Sequence, residues 1–328
     1  MRLRRHGATN DLTRALAPDA ALDRRLAEEI RASLPRGRTL FRYFRDRFAL
    51  QLLAYAAAEG RSLPEMRRGR FGALLQKPSV RRALSGRGRC VDWELLDTYF
   101  PVPTQDYEIT LGLWGGEGDW HWNQTSRAGY NVVLQLNFPH AHDRAYRRYI
   151  RPGDDPPFAR GGHPVNEDGL HTMAWARLDI DTTHGEVLIE EIQSDWIRDA
   201  EAASEDALRC LLAGGFAAPW SVFRCDALDI FRYVEHVLGV HRRLWAEATL
   251  AASLWFLRER LGIRRISMHT HEGGCRVKRI AGRLRPPRSL YENVPRAFCF
   301  ERVVGAPRFL ERSLPRALAR EEFWHLRI

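Results

Sequence analysis

Residues 187–196 read VLIEEIQSDW, and the fold turns on how this run is read. Val187, Leu188 and Ile189 open it as a strand should. Glu190, Glu191, Gln193, Ser194 and Asp195 then stand where a buried strand would stay apolar. With side chains alternating, Val187, Ile189, Glu191 and Gln193 share one face and Leu188, Glu190 and Ile192 the other, so each face gains a carboxylate toward its C-terminal end. Ligand crevices open at strand C-termini in α/β sheets, and an unpaired buried carboxylate costs on the order of several kcal/mol. One reading is an internal network with arginines such as Arg177, with Ser194 or Asp195 capping the next helix. The other is a site, in which Glu190, Glu191, Gln193 and Asp195 do acid–base or orienting work. There Glu191 is the candidate base and Gln193 the group that orients substrate.

Upstream, TMAWARLDI (172–180) forms a hairpin with this strand around residues 181–185, and YEITLGLW (107–114) and NVVLQLNF (131–138) alternate with period two. Downstream, LWAEATLAASLWFLRERLG (244–262) is apolar on most sides, as a covered helix is. The short strand RRISMHT follows, then a helix start at 270–274, a Pro286-Pro287 turn and a strand through 298–304. Residues 20–59 read as helices, because Phe41, Phe44, Phe48, Leu52 and Tyr55 recur at spacings of three and four. The composition changes near residues 86–104. The expected fold class is therefore α+β, a mixed sheet with packed helices over 105–328, preceded by a basic all-helical domain over 1–92.

The 328 residues carry a net charge of +10, spread unevenly. Residues 1–90 hold 21 Lys and Arg against 8 Asp and Glu, and the remainder 30 against 33. A basic third beside a neutral body suits a polyanion, so nucleic acid is a candidate partner through residues 1–90; solvated helix faces are the plainer reading. No window approaches the roughly 18 apolar residues of a membrane span, and no apolar segment follows the N-terminus, which places the chain in the cytoplasm with no membrane partner. The five cysteines, Cys90, Cys210, Cys225, Cys275 and Cys299, are scattered without a CxxC pair, as reduced thiols are.

MHTHEGGCRVKRI (268–280) is the second candidate region. His269, Thr270 and His271 stand at a strand-to-helix junction, followed by Gly273, Gly274, Arg276 and Lys278. Helix-start N–H groups, glycines that allow close approach, and nearby cations make an anion cradle for a donor or acceptor, with His269 as a catalytic candidate. Neither GxxxxGK[ST] nor GxGxxG is present. DWHWNQ (119–124) mixes aromatics with hydrogen-bonding groups as a substrate platform does. His140 and His142 in FPHAHD are a possible metal pair, without a third ligand at a diagnostic spacing.

The motif Glu191-Ile192-Gln193-Ser194-Asp195-Trp196, a Trp-containing helix (245–260), the polar turn 269–274 and LYENVP (290–295) together resemble an uncharacterised domain of large phage and prophage polyvalent proteins. The likeness covers about half the chain. More distantly, the order of strand, long helix, strand, short helix and SLYENVPRAFCFERV resembles GNAT-type acyltransferases and their closing Tyr-containing segment. That resemblance implies acyl transfer and gives Tyr291 a place among the donor-binding residues. It also implies acyl-CoA, but the (Q/R)xxGx(G/A) pyrophosphate loop is replaced by IRDAEAASEDAL, which contains no glycine. The expected function is a distantly GNAT-like transferase moving an acyl-type group, with an anionic small-molecule donor or acceptor. A nucleic-acid-binding or nucleic-acid-modifying protein and a His-dependent metal enzyme are the alternatives.

Overall fold

The computed structural model describes residues 22–35, 39–85, 91–116, 124–154, 156–159 and 162–328. Residues 1–21 of the basic third, Cys90 and residues 119–123 of the Trp-rich cluster lie outside them. In chain order come α1 (Arg24–Ala32), β1 (Leu40–Tyr43), α2 (Arg47–Ala58), α3 (Leu63–Arg68), α4 (Pro78–Ser85), α5 (Trp93–Thr98), β2 (Gln105–Gly116), β3 (Gly129–Asn137) and α6 (His140–Tyr149). Then follow β4 (Thr172–Asp181), β5 (Glu186–Gln193), α7 (Asp195–Leu212), α8 (Ala227–Arg232), α9 (Gly239–Trp255), β6 (Arg265–His269) and α10 (His271–Val277). The chain closes with α11 (Arg288–Ala297), β7 (Glu301–Val304), α12 (Arg308–Glu311), α13 (Arg316–Ala319) and β8 (Glu322–Arg327). Among the described residues the eight strands form one mixed sheet in the order β1-β2-β3-β4-β5-β6-β8-β7. No helix among them is long and apolar enough to cross a membrane.

The fold class is thus α+β, with one correction: the N-terminal segment is not all helical. Phe41 and Tyr43 point inward and Leu40 and Arg42 outward, and the four residues pair antiparallel with β2 as an edge strand. Aromatics alternating with polar residues favour a strand. The helical spacing of Phe41, Phe44 and Phe48 arises because a turn at Asp46, whose φ is +63°, separates the strand from α2; a left-handed residue does not sit inside a right-handed helix.

The hairpin β4–β5 forms where the sequence places it, but β5 contains a bulge. Leu178 lies opposite Ile189 and Arg177 opposite Glu191, so Glu190 has no cross-strand partner. One extra residue reverses the alternation beyond it. Val187, Ile189 and Ile192 therefore all enter the large core under α2, α7 and α9, whereas Leu188 joins a smaller core with Val277, Phe309 and Phe323 on the opposite face. The expected sharing of a face by Ile189, Glu191 and Gln193 is corrected accordingly. β5 and β6 are parallel, which requires a long crossover, here α7, α8 and α9. β8, unanticipated from the sequence, inserts between β6 and β7.

Candidate active site

β5 and β6 pair from Glu186 opposite Arg265 to Ile189 opposite Met268, and no further. Beyond that point β5 runs on with only β4 beside it, and a cleft of about 780 Å³ opens at the C-terminal ends of the parallel pair. Glu191, Gln193, His269, Thr270, His271, Gly274, Lys278 and Tyr291 all line it, so the two stretches singled out in the sequence converge. Glu190 and Asp195 lie behind the wall, and Gly273 and Arg276 are elsewhere. Arg276 projects outward to Glu321 at 2.7 Å.

The bulge residue Glu190 is fully buried. Its Oε1 accepts from the Ser126 N–H (2.7 Å), and its Oε2 from the Ser126 hydroxyl (3.0 Å) and His269 Nε2 (3.0 Å). Burial works to raise this carboxyl, but the His269 hydrogen bond and the nearby Lys278 and Arg177 charges outweigh it and hold it at about 2. Burial, aided by the same cations and opposed by Glu190, pushes His269 down, so the ring is neutral. Its Nε2–H serves the carboxylate, while Nδ1 has no hydrogen-bond partner among the described residues. Ser126, His269 and Glu190 do not form a nucleophilic triad. Serine and acid meet the same ring nitrogen, whereas a triad uses opposite ones, and Ser126 is wholly buried.

Glu191 is engaged by the buried Arg177 guanidinium, which also donates to the Gln124 carbonyl (3.0 Å) and lies over the Trp114 and Trp175 rings. Among the described residues Lys278 Nζ makes one hydrogen bond, to the Glu190 carbonyl (2.8 Å). Burial lowers its pKa, and Glu191 and Glu190 oppose that. Burial, reinforced by Glu191, holds the Tyr291 phenol well above its ordinary value, so it stays protonated, hydrogen-bonded to the Ile192 backbone.

Asp195 is the hub of the far wall. Its carboxylate accepts from His163 Nδ1 (2.8 Å), the Trp175 indole (3.1 Å), Arg198 (2.6 Å) and the Gln193 amide. Burial works to raise it, and these donors, His163 foremost, bring it below the ordinary range. Ser194 takes the cap of α7 by accepting the Ile197 N–H (3.1 Å), and Trp196 is packed in the core with its indole on the Tyr233 hydroxyl. A carboxylate only accepts, so His163 carries a proton on Nδ1, and its Nε2 has no hydrogen-bond partner among the described residues. His163 lines the cleft about one-third exposed. Its loop is pinned to the sheet: Gln135 Nε2 donates to the Pro164 carbonyl (3.1 Å) and the Asn166 N–H to Thr172 Oγ1 (2.8 Å). Sequence reasoning missed His163, Trp175 and Trp114. Trp175 and Trp114 stand on strands that were recognised, and alternation could have placed both on the cleft face.

The anion cradle at 270–274 is corrected. Thr270 caps α10 with its own hydroxyl on the Gly273 N–H (3.1 Å), and its carbonyl takes the Gly274 N–H (2.9 Å). Gly274 instead makes room for His269, whose Cβ would stand 2.8 Å from an added Cβ. The His140–His142 pair is corrected as well, since positions two apart do not share a helix face. His140 is exposed and His142 buried, and His142 joins Asp143 and His171 in the one group of possible metal ligands among the described residues. Both its ring nitrogens are used, Nε2 on the Tyr233 hydroxyl (2.8 Å) and Nδ1 toward Asp143 (3.3 Å). No family model, no curated protein and no solved structure matches the chain.

Proposed function

We propose that the chain is a transferase, distantly GNAT-like, that moves an acyl-type group onto an acceptor nucleophile in the cleft beyond Ile189 and Met268. The observation that carries this reading is the His163–Asp195 dyad, which orients an imidazole, its Nε2 without a partner among the described residues, in a large cleft where two parallel strands part. In this mechanism His163 Nε2 takes the proton of an acceptor amine or hydroxyl as it attacks the donor carbonyl. Gln193, whose amide nitrogen is spent on Asp195, offers Oε1 to orient the acceptor. Lys278 has N–H bonds left beyond the one to Glu190 and faces the developing oxyanion, and the Tyr291 phenol supplies a proton to the leaving group. The base is therefore His163 rather than Glu191, which Arg177 engages.

The GNAT resemblance is supported by the parallel pair, its helical crossover, and the helix and strands that close the chain. Acyl-CoA is disfavoured as the donor. The start of α7 carries the Ser194 cap and the Asp195 carboxylate where a pyrophosphate would need free N–H groups. Lys278 and Tyr291 also occupy the edge of β5 beside Glu190 and Ile192.

A panel of activated acyl donors (thioester, acyl phosphate, aminoacyl ester) incubated with amine and hydroxyl acceptors, read by product mass, tests the proposal. Transfer by the parent, lost by two or more orders of magnitude in His163→Ala and to a similar degree in Asp195→Asn, is expected. Full turnover by His163→Ala, or no transfer from any donor class, overturns it.

A further inference from the structure

At the other end of the parallel pair, where Glu186 and Arg265 begin β5 and β6, lies a second cavity of about 300 Å³. Arg70, Arg265, Arg308 and Arg327 line it, with Glu186 and Glu301 as its carboxylates. Arg265 is held by Glu186 (3.1 Å), and Arg70 by Glu301 (3.6 Å) and the Arg327 carbonyl (2.6 Å). The side chains of Arg308 and Arg327 are exposed and make no ion pair or hydrogen bond among the described residues. Arg70 is also the link outward. Its guanidinium lies over the Phe71 ring at 4.8 Å, and Arg61 lies over the same ring at 5.6 Å. The last turn of α3 adds Arg67 and Arg68, both exposed. Glu65, the acid of that helix, is folded back onto the Ser62 N–H and hydroxyl.

We infer that this surface, from Arg61 on the α3 side to Arg308 and Arg327, docks the phosphate backbone of a nucleic acid strand, with the cavity seating one phosphate. Guanidinium forks match phosphate oxygens in pairs. A small phosphate ester would be satisfied by the cavity alone, whereas exposed arginines continuing past it over α3 suit an anion that repeats along a line. The polyanion contact expected of residues 1–90 is thereby shared with the C-terminal elements α12 and β8. It lies away from the cleft and stands whether or not acyl transfer does.

Fluorescence anisotropy of short labelled RNA and DNA strands with the full chain tests this between about 50 and about 200 mM salt. Binding that weakens steeply with salt is expected. The Arg308→Glu/Arg327→Glu double variant should bind at least about ten-fold more weakly, with a log–log salt slope shallower by about 2 and an unchanged thermal melt. Arg147→Glu/Arg148→Glu on α6, a helix that contributes nothing to this cavity, should stay within about two-fold of the parent once allowance is made for long-range charge. Absence of binding at low salt, or an unmoved double variant, overturns the proposal. So does an equal loss in the α6 control, which reduces the effect to net charge, and so does full displacement by inorganic phosphate, which makes the cavity a small-anion pocket.

Discussion

Gly274 illustrates how little a residue type says without its neighbour. Glycine at a helix start suggests room for a ligand, yet the space that a Cβ would take belongs to His269, whose ring is clamped by Glu190 and Ser126 and cannot swing aside. Gly274→Ala should destabilise by about 1–3 kcal/mol through overpacking, visible as a lowered melting temperature; an unchanged melt would show that the ring relaxes freely. The same clamp makes a pH prediction. The Glu190 carboxyl sits at about 2 in the fold against an ordinary 4.5, so its stabilising contribution is complete above about pH 4.5 and lost as pH falls toward 2. Glu190→Gln should lower stability at neutral pH and flatten that acid limb. A variant with the parent's slope between pH 4.5 and 2 would place the titration elsewhere. Glu191, Gln193, Lys278 and Tyr291 were legible because polar groups interrupt apolar elements or close a motif. His163 was not, because it sits in a loop 32 positions from the carboxylate that orients it, and nothing local marks that pairing.

The bulge in β5 is the element on which both the core and the cleft depend. Period-two reading found the strand, its hairpin and its direction, then assigned the wrong faces after Glu190, because a bulge leaves no mark in the hydrophobic pattern except the doubled glutamate itself. Deleting Glu190 restores the alternation on paper and should be far worse than substituting it. The deletion leaves Ile192 on the large core and Glu191 on the opposite face, as the bulge does, but it removes the carboxylate that holds Ser126 and the His269 ring and the carbonyl that holds Lys278. The deletion is expected to melt well below Glu190→Gln, which keeps the backbone carbonyl that holds Lys278 and a side chain of the same shape; equal melting temperatures for the two variants would mean that the bulge adds nothing beyond the carboxylate charge. A second element-scale prediction concerns α9, where Glu247 faces the turn before α2 and accepts the Asp46 N–H at 3.4 Å. Burial, with the Asp46 carboxylate adding to it, raises Glu247 to about 7. A carboxyl raised in the fold binds protons that the unfolded chain has released, so stability should fall as pH rises from about 4.5 to about 7, by on the order of 3 kcal/mol at most. Glu247→Gln should remove that decline and gain over the parent above pH 7. Parallel stability curves for the two proteins would refute the assignment.

At the scale of the molecule, the basic third and the sheet behave as parts of one packed body. The charge boundary near residue 90 suggests a separable helical unit, and composition gives no means of seeing otherwise, because contacts between distant segments do not alter either segment's composition. β1 is hydrogen-bonded to β2, Phe48 stacks on Phe298 with ring centroids 4.1 Å apart, Gln51 Nε2 donates to the Ala251 carbonyl at 3.0 Å, and Glu59 is paired with Arg258 and Arg264. Phe41, Phe44, Phe48, Leu52 and Leu53 are all buried in the same core as α9. At roughly 2 kcal/mol for each side chain, their removal forfeits on the order of 10 kcal/mol, comparable with the whole stability of an ordinary domain, about 5–15 kcal/mol. It also uncovers the apolar flank of α9 and a fresh sheet edge at β2, both of which promote aggregation. A fragment of residues 91–328 should therefore be recovered insoluble, or soluble without a cooperative melt, whereas the full chain should unfold in one transition by both far-UV circular dichroism and tryptophan fluorescence. A soluble fragment with a sharp melt of its own, or two separated transitions in the full chain, would restore the independent N-terminal domain.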